Sequence, residues 1–155
     1  MNPLVVFYSR TGTTKKAGLK IAEILNCDFE EIFGTKNRSG ALGYVAAGRD
    51  ATLKKIIEIK HTEKNPADYD MVIIGTPVWA FTMASAIRTY ITLNKDNFKK
   101  VAFFCTSQSS GGKGPFKHME ELGGFKPIAL LDLATKEVSE GKFEEKVREF
   151  VEELA

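Results

Sequence analysis

The chain has little of what would tie it to a membrane, a nucleic acid or an oxidising compartment. No apolar run approaches the ~20 residues needed to cross a bilayer. Its 22 basic and 20 acidic residues leave a net charge of +2 with no long single-sign run, so neither a membrane surface nor a nucleic acid is favoured electrostatically. Only two cysteines occur, Cys27 and Cys105, in separate strand-like segments and without CxxC spacing, which points to reduced thiols rather than a disulfide framework. The two histidines, His61 and His118, stand apart with no metal-ligand spacing around them, and both are expected at the surface. Strand-like sequence begins within a few residues of the N-terminus, leaving no room for a signal peptide, so a cytoplasmic protein is expected. The single tryptophan, Trp79, falls on a loop rather than in a core segment.

What is present is ordinary in amount and informative in order. With 155 residues, 43% of them hydrophobic, the chain suits one domain spanning 1–155 that buries about two-thirds of its unfolded surface. Short continuous apolar runs at 3–8, 71–75, 101–106 and 128–133 have the form of buried strands. Residues 27–32 alternate apolar and polar, as an edge strand does. Between these runs, helical spacing recurs. Ala17, Ile21, Ile24 and Leu25 mark a helix over 14–25. Met83, Ile87, Tyr90 and Ile91 mark one over 82–93, and Phe116, Met119 and Leu122 a short one ending at Gly123-Gly124. A last helix over 140–154 presents Phe143, Val147, Phe150, Val151 and Leu154. Asn65-Pro66-Ala67-Asp68 is a turn signal, and Thr76-Pro77 is expected to end the strand before it. The stretch 33–57, with Gly34, Gly40, Gly43 and Gly48, is the least legible; a loop entering a helix over 48–57 is expected. Alternating strands and helices make a doubly wound α/β protein with a parallel five-stranded sheet, order 2-1-3-4-5, and helices on both faces. Ligands of such sheets sit beyond the carboxyl ends of the strands, at the switch point between strands 1 and 3.

Three loops converge at that edge. The first, Ser9, Arg10, Thr11, Gly12, Thr13 and Thr14, joins the first strand to the first helix. A helix start carries roughly +0.5 of a charge and unsatisfied N–H groups, so an anion is its natural occupant. Gly12 permits the tight turn, while the threonine hydroxyls can donate to phosphate oxygens and cap the helix. An ordinary capped turn needs only one hydroxyl residue; this one has four in six positions, which favours phosphate binding. The second loop, Thr76, Pro77, Val78, Trp79, Ala80 and Phe81, carries two aromatics on a rigid corner, suited to a planar ring, although Trp79 packed inward is the plain alternative. The third, Thr106, Ser107, Gln108, Ser109, Ser110, Gly111 and Gly112, allows the backbone to lie close to a ring and point amides at its carbonyls, or is a simple surface turn.

Phosphate at one end and a flat heterocycle at the other describe a mononucleotide. Other phosphate chemistries fit less well. Ser109-Ser110-Gly111-Gly112-Lys113-Gly114 lacks the first glycine of a P-loop and the Ser or Thr after its lysine. The acids of a receiver domain are replaced by Ser9-Arg10 and Thr76-Pro77, and neither cysteine begins a Cys-x5-Arg motif.

On the Ser-x-Thr-Gly-x-Thr loop at 9–14, the Pro77-Val78-Trp79-Ala80 loop and the Thr106-Ser107 loop, the chain resembles the short-chain flavodoxins and flavodoxin-like FMN proteins over nearly its whole length. The resemblance implies a flavodoxin-like fold. It also implies that residues 9–14 hold the FMN phosphate while residues 76–81 and 106–112 hold the isoalloxazine ring, with no catalytic side chain. It implies a low-potential electron carrier between a reductase and a redox enzyme. The alternatives are an FMN-dependent NAD(P)H:quinone or small-acceptor oxidoreductase and, more remotely, a flavin-free regulatory module. The segment Gly43-Tyr44-Val45-Ala46-Ala47-Gly48-Arg49-Asp50 resembles one found in a branch of these proteins. Departures from the carrier pattern are the mildly basic balance, the cation Arg10 in the phosphate loop, and the lack of a tyrosine in the third loop to stack on the outer ring face.

Overall fold

The computed structural model describes residues 1–35 and 56–155. Its strands are β1 (Pro3–Phe7), β2 (Asp28–Glu31), β3 (Met71–Trp79), β4 (Thr82–Met83), β5 (Lys100–Ser107) and β6 (Leu130–Ala134). Five of them run parallel in the order β2-β1-β3-β5-β6, the expected order once β4, which folds back antiparallel on the end of β3, is set aside. The described helices are α1 (Thr13–Leu25), α2 (Ser85–Asn94), α3 (Lys113–Gly123), α4 (Thr135–Ser139) and α5 (Glu144–Glu153).

Successive residues of the central strands point to opposite faces, so an apolar run without alternation requires a core on each side. Leu4, Val6, Val72, Ile74 and Phe103 pack with Ile87, Tyr90 and Ile91 of α2 and Phe116 and Met119 of α3. Val5, Phe7, Ile73 and Phe104 pack with Ala17 and Ile21 of α1 and Val147 and Phe150 of α5. Edge strand β2 contributes little to either core; Phe29 remains 45% exposed and only its ring rests near Phe7. The Tyr69 hydroxyl donates to Asp28 Oδ2 at 2.7 Å and ties this edge down. The turn at Asn65 forms as expected, with its side chain accepting from the Ala67 N–H ahead of a short 3₁₀ turn at Pro66–Asp68. Among the described residues, no helix is long and apolar enough to cross a membrane.

Three expected boundaries differ. Strand β3 does not stop at Thr76-Pro77 but runs through them to Trp79, with Pro77 in register with Thr106. The Gly75 carbonyl accepts from Tyr8 N on the β1 side, so residue 77, two further on, turns its missing N–H to the same side, just past where β1 has ended. Helix α2 begins at Ser85 rather than 82 because Thr82-Met83 pair with Trp79-Val78 first. The helix expected over 140–154 starts at Glu144, and the chain before it forms the separate turn α4, with Gly141 at φ 72° between the two. The helix expected over 48–57 and the Gly43–Asp50 segment fall on or run into residues that lie outside the described ones.

Candidate functional site

The first loop opens helix α1. Its N-cap is Gly12, at φ 103°, a left-handed geometry that favours glycine, and no side chain caps the helix. This corrects the expectation that a threonine would do so. Ser9 instead turns inward within the loop, its Oγ accepting from the Gly12 N–H at 3.0 Å. The first intrahelical bond runs from Lys16 N to Gly12 O, so the amides of the first turn are claimed by no side chain, and no acid occupies that turn. Thr14 is buried, its Oγ1 2.8 Å from Thr106 Oγ1, which ties the first loop to the third. Half-buried Arg10 sets a permanent cation beside these donors.

The second loop is a hairpin whose two-residue tip, Ala80 at φ 48° and Phe81 at φ 63°, is left-handed at both positions. Such a tip usually uses Asn or Gly, and a side chain there costs about 1–2 kcal/mol per residue. The tip is held in place partly by Gly114 at the start of α3, where an added Cβ would strike the Phe81 carbonyl. Thr76 is buried and structural; its Oγ1 accepts from Ala84 N at 2.9 Å and donates to the Pro77 carbonyl at 2.8 Å. Trp79 is only 8% exposed and sets its ring edge-on to Tyr8, 5.3 Å away at 83°, whereas Phe81 is 73% exposed and is the outward aromatic of the loop.

In the third loop Ser107 Oγ accepts from Gly111 N at 3.0 Å. The Gly112 N–H donates to Asp132 Oδ2 at 2.8 Å, and the Cys105 thiol lies 3.4 Å from Asp132 Oδ1. Asp132 therefore anchors this loop from β6, a role the sequence did not reveal. The only sequence-level signal was a charged residue alternating with Leu131 and Leu133 beside a neighbouring strand end. Burial, and then the Asp132 charge, push the Cys105 thiol far up, so it stays protonated and supplies no nucleophile.

The three loops enclose a cavity of about 270 Å³ at the carboxyl end of the sheet. Every residue assigned to the site from sequence lines it except Gly12, Thr76, Gly111 and Gly112, whose roles here are in shaping the backbone; Thr135 is an addition. Trp79 and Thr14 line it despite their burial. A larger cleft of about 710 Å³ lies at the opposite end, lined by Met1, Asp70, Met71, Lys99, Lys100, Leu154 and Ala155. No helix of eight or more residues begins among those residues, so that cleft lacks the anion-attracting dipole end. His61 is exposed as expected, but His118 is half-buried, its Nδ1 2.7 Å from Thr82 Oγ1.

Sheet order and helix placement define a doubly wound α/β protein with a hydroxyl-lined pocket at the β1/β3 switch point, beside the uncapped start of α1. The flavodoxin family model matches residues 2–154, and the chain belongs to the flavodoxin family. Among solved structures it is similar to a flavoprotein in complex with FMN from Lactobacillus acidophilus NCFM, at 27% identity and TM-score 0.73, covering 90% of this chain and 97% of that one. A Bacteroides uniformis ATCC 8492 protein assigned as a flavoprotein shares the fold at 23% identity and TM-score 0.80, covering 97% of each chain. Two-electron reduced Megasphaera elsdenii flavodoxin shares it at 15% identity and TM-score 0.59, covering 99% of each. No curated protein matches the chain by sequence.

Proposed function

We propose that this flavodoxin holds FMN non-covalently in the carboxyl-end cavity and carries electrons at low potential between a reductase and a redox enzyme in the cytoplasm. The observation that carries the reading is the α1 start: amides claimed by no side chain, a left-handed Gly12, and the hydroxyls of Ser9, Thr11, Thr13 and Thr14 gathered at one end of a cavity that three loops close. These donors fit a phosphate, and the loops at 76–81 and 106–112 fit a flat ring beside it. The flavin supplies the redox chemistry; the protein's part is to orient it and set its potential through hydrogen bonds and nearby charge. Arg10 offsets phosphate charge, and losing one such charged hydrogen bond costs ~1.5–3 kcal/mol of affinity.

A second reading, an NAD(P)H-dependent reductase of a quinone or another small acceptor, is favoured by the third loop. Gln108, Ser109 and Ser110 are exposed and none is aromatic, so this loop offers no ring to cover the outer side of the flavin. Purified protein is expected to show the visible bands of oxidised flavin, bleached by dithionite. Colourless protein that takes up no added FMN would overturn both readings. NADPH or NADH alone should leave a carrier's bands unchanged, while rapid bleaching without a reductase would assign the enzyme.

A further inference from the structure

Behind the hairpin, between α2 and α3, lies a polar cluster that contributes nothing to the cavity lining. Arg88 is 7% exposed, and its Nη2 reaches back toward the start of its own helix to donate to Thr82 Oγ1 at 3.3 Å. That bond is long, and Arg88 Nε is buried without any partner. No carboxylate among the described residues pairs with it. Ser85, fully buried three residues earlier on the same helix face, likewise has an Oγ without a partner. Helix α2 starts here with Ala84 as its N-cap, which has no capping side chain, and with no acid in its first turn. On the other side His118 sits against Thr82.

A guanidinium keeps its charge in any protein setting, and burying a cation with one long neutral hydrogen bond is costly. Burial here disfavours the charged form, as the lowered Arg88 pKa indicates, and nothing on the described protein compensates. Nε and Nη2 share one edge of the guanidinium, the edge that takes two oxygens of one group side by side. The Ser85 hydroxyl, three residues earlier on the same helix, and the uncapped α2 start are further donors without side-chain partners.

We infer that Arg88, Ser85 and the start of α2 form a second oxyanion site, distinct from the α1 pocket, which takes the carboxylate or phosphate group of a small molecule. Because Thr82 pairs directly with Trp79, a molecule held here lies against the hairpin that borders the first cavity. The assignment does not depend on FMN.

The test titrates sodium phosphate and, separately, sodium succinate into the full chain against sodium chloride at matched ionic strength. Thermal unfolding and the Arg88 Nε–H resonance are followed in wild type and in Gly12→Asp, whose α1 site is disabled. At ten times the dissociation constant the unfolding midpoint should rise by about 3–6 °C, and the Arg88 resonance should shift in both proteins. Arg88→Gln should abolish the rise and Ser85→Ala should weaken binding several-fold. Should Arg88→Gln not fold, the resonance shift and Ser85→Ala decide. A stronger response to phosphate assigns a phosphoryl ligand, and to succinate a carboxylate ligand. Absence of a response in wild type, an equal response in folded Arg88→Gln, or a response lost in Gly12→Asp would overturn the site.

Discussion

Helices α1 and α2 both start at the carboxyl edge of the sheet, on opposite faces, and neither has a side-chain cap or an acid in its first turn. Their surroundings differ. At α1 the turn is made by left-handed Gly12, the loop is partly open, and hydroxyls line a cavity. At α2 the turn is made by extended Ala84, whose N–H is already taken by Thr76, and the buried Arg88 reaches back to Thr82 just before the helix. An uncapped helix start is thus common to both; what differs is the surroundings, a cavity lined by hydroxyls at α1 and a buried arginine and serine at α2.

The sharpest way to break this contrast is Gly12→Asp. It forces a side chain into left-handed backbone and places a carboxylate at the proposed phosphate position, so FMN affinity should fall by about 100-fold or more. Quenching of flavin fluorescence on titration measures it, and retention close to wild type would remove the α1 assignment. Next is Gly114→Ala, whose Cβ would meet the Phe81 carbonyl. The hairpin tip must shift, at about 1–3 kcal/mol of stability, with the flavin spectrum changing as well because the tip borders the ring end. A destabilised variant with an unaltered spectrum would show that the tip does not touch the cofactor. Thr14→Ala removes one hydroxyl from the cavity lining; loss of a hydrogen bond to the phosphate should cost about 1 kcal/mol, or roughly five-fold in FMN affinity by isothermal titration. The smallest effect is expected on the other face: Ala84→Ser supplies a cap to α2 worth about 0.5–1 kcal/mol. Its unfolding midpoint should rise with FMN affinity unchanged; loss of affinity would mean that the two helix starts are coupled.

Much of this architecture was legible from one-dimensional pattern. Continuous apolar runs at 3–8, 71–75 and 101–106 have the form of strands covered on both faces, and the loop at 9–14 carried more hydroxyls than a turn requires. Less legible were features that depend on neighbours distant in sequence. Pro77 was expected to end a strand, yet it sits inside one because β1 stops short of it. The hairpin return at Thr82-Met83 looked helical because Met83 fits the apolar spacing of the helix that follows. Asp132 carried no assignment from the sequence; its bond to Gly112 N appears only once the sheet sets β6 beside the third loop. The second loop drew the ring assignment for its two aromatics on a rigid corner, with Trp79 packed inward as the alternative; Trp79 packs edge-on to Tyr8 while still lining the cavity, and Phe81 is the outward one.

By itself, then, the sequence determined the strand and helix alternation and the three loops that share an edge, because hydrophobic period and turn chemistry are local properties. Which threonine caps nothing, which aromatic faces out, and which arginine lies buried without a counter-charge among the described residues were decided only in three dimensions. Each depends on what another part of the chain leaves open, covers or fails to neutralise.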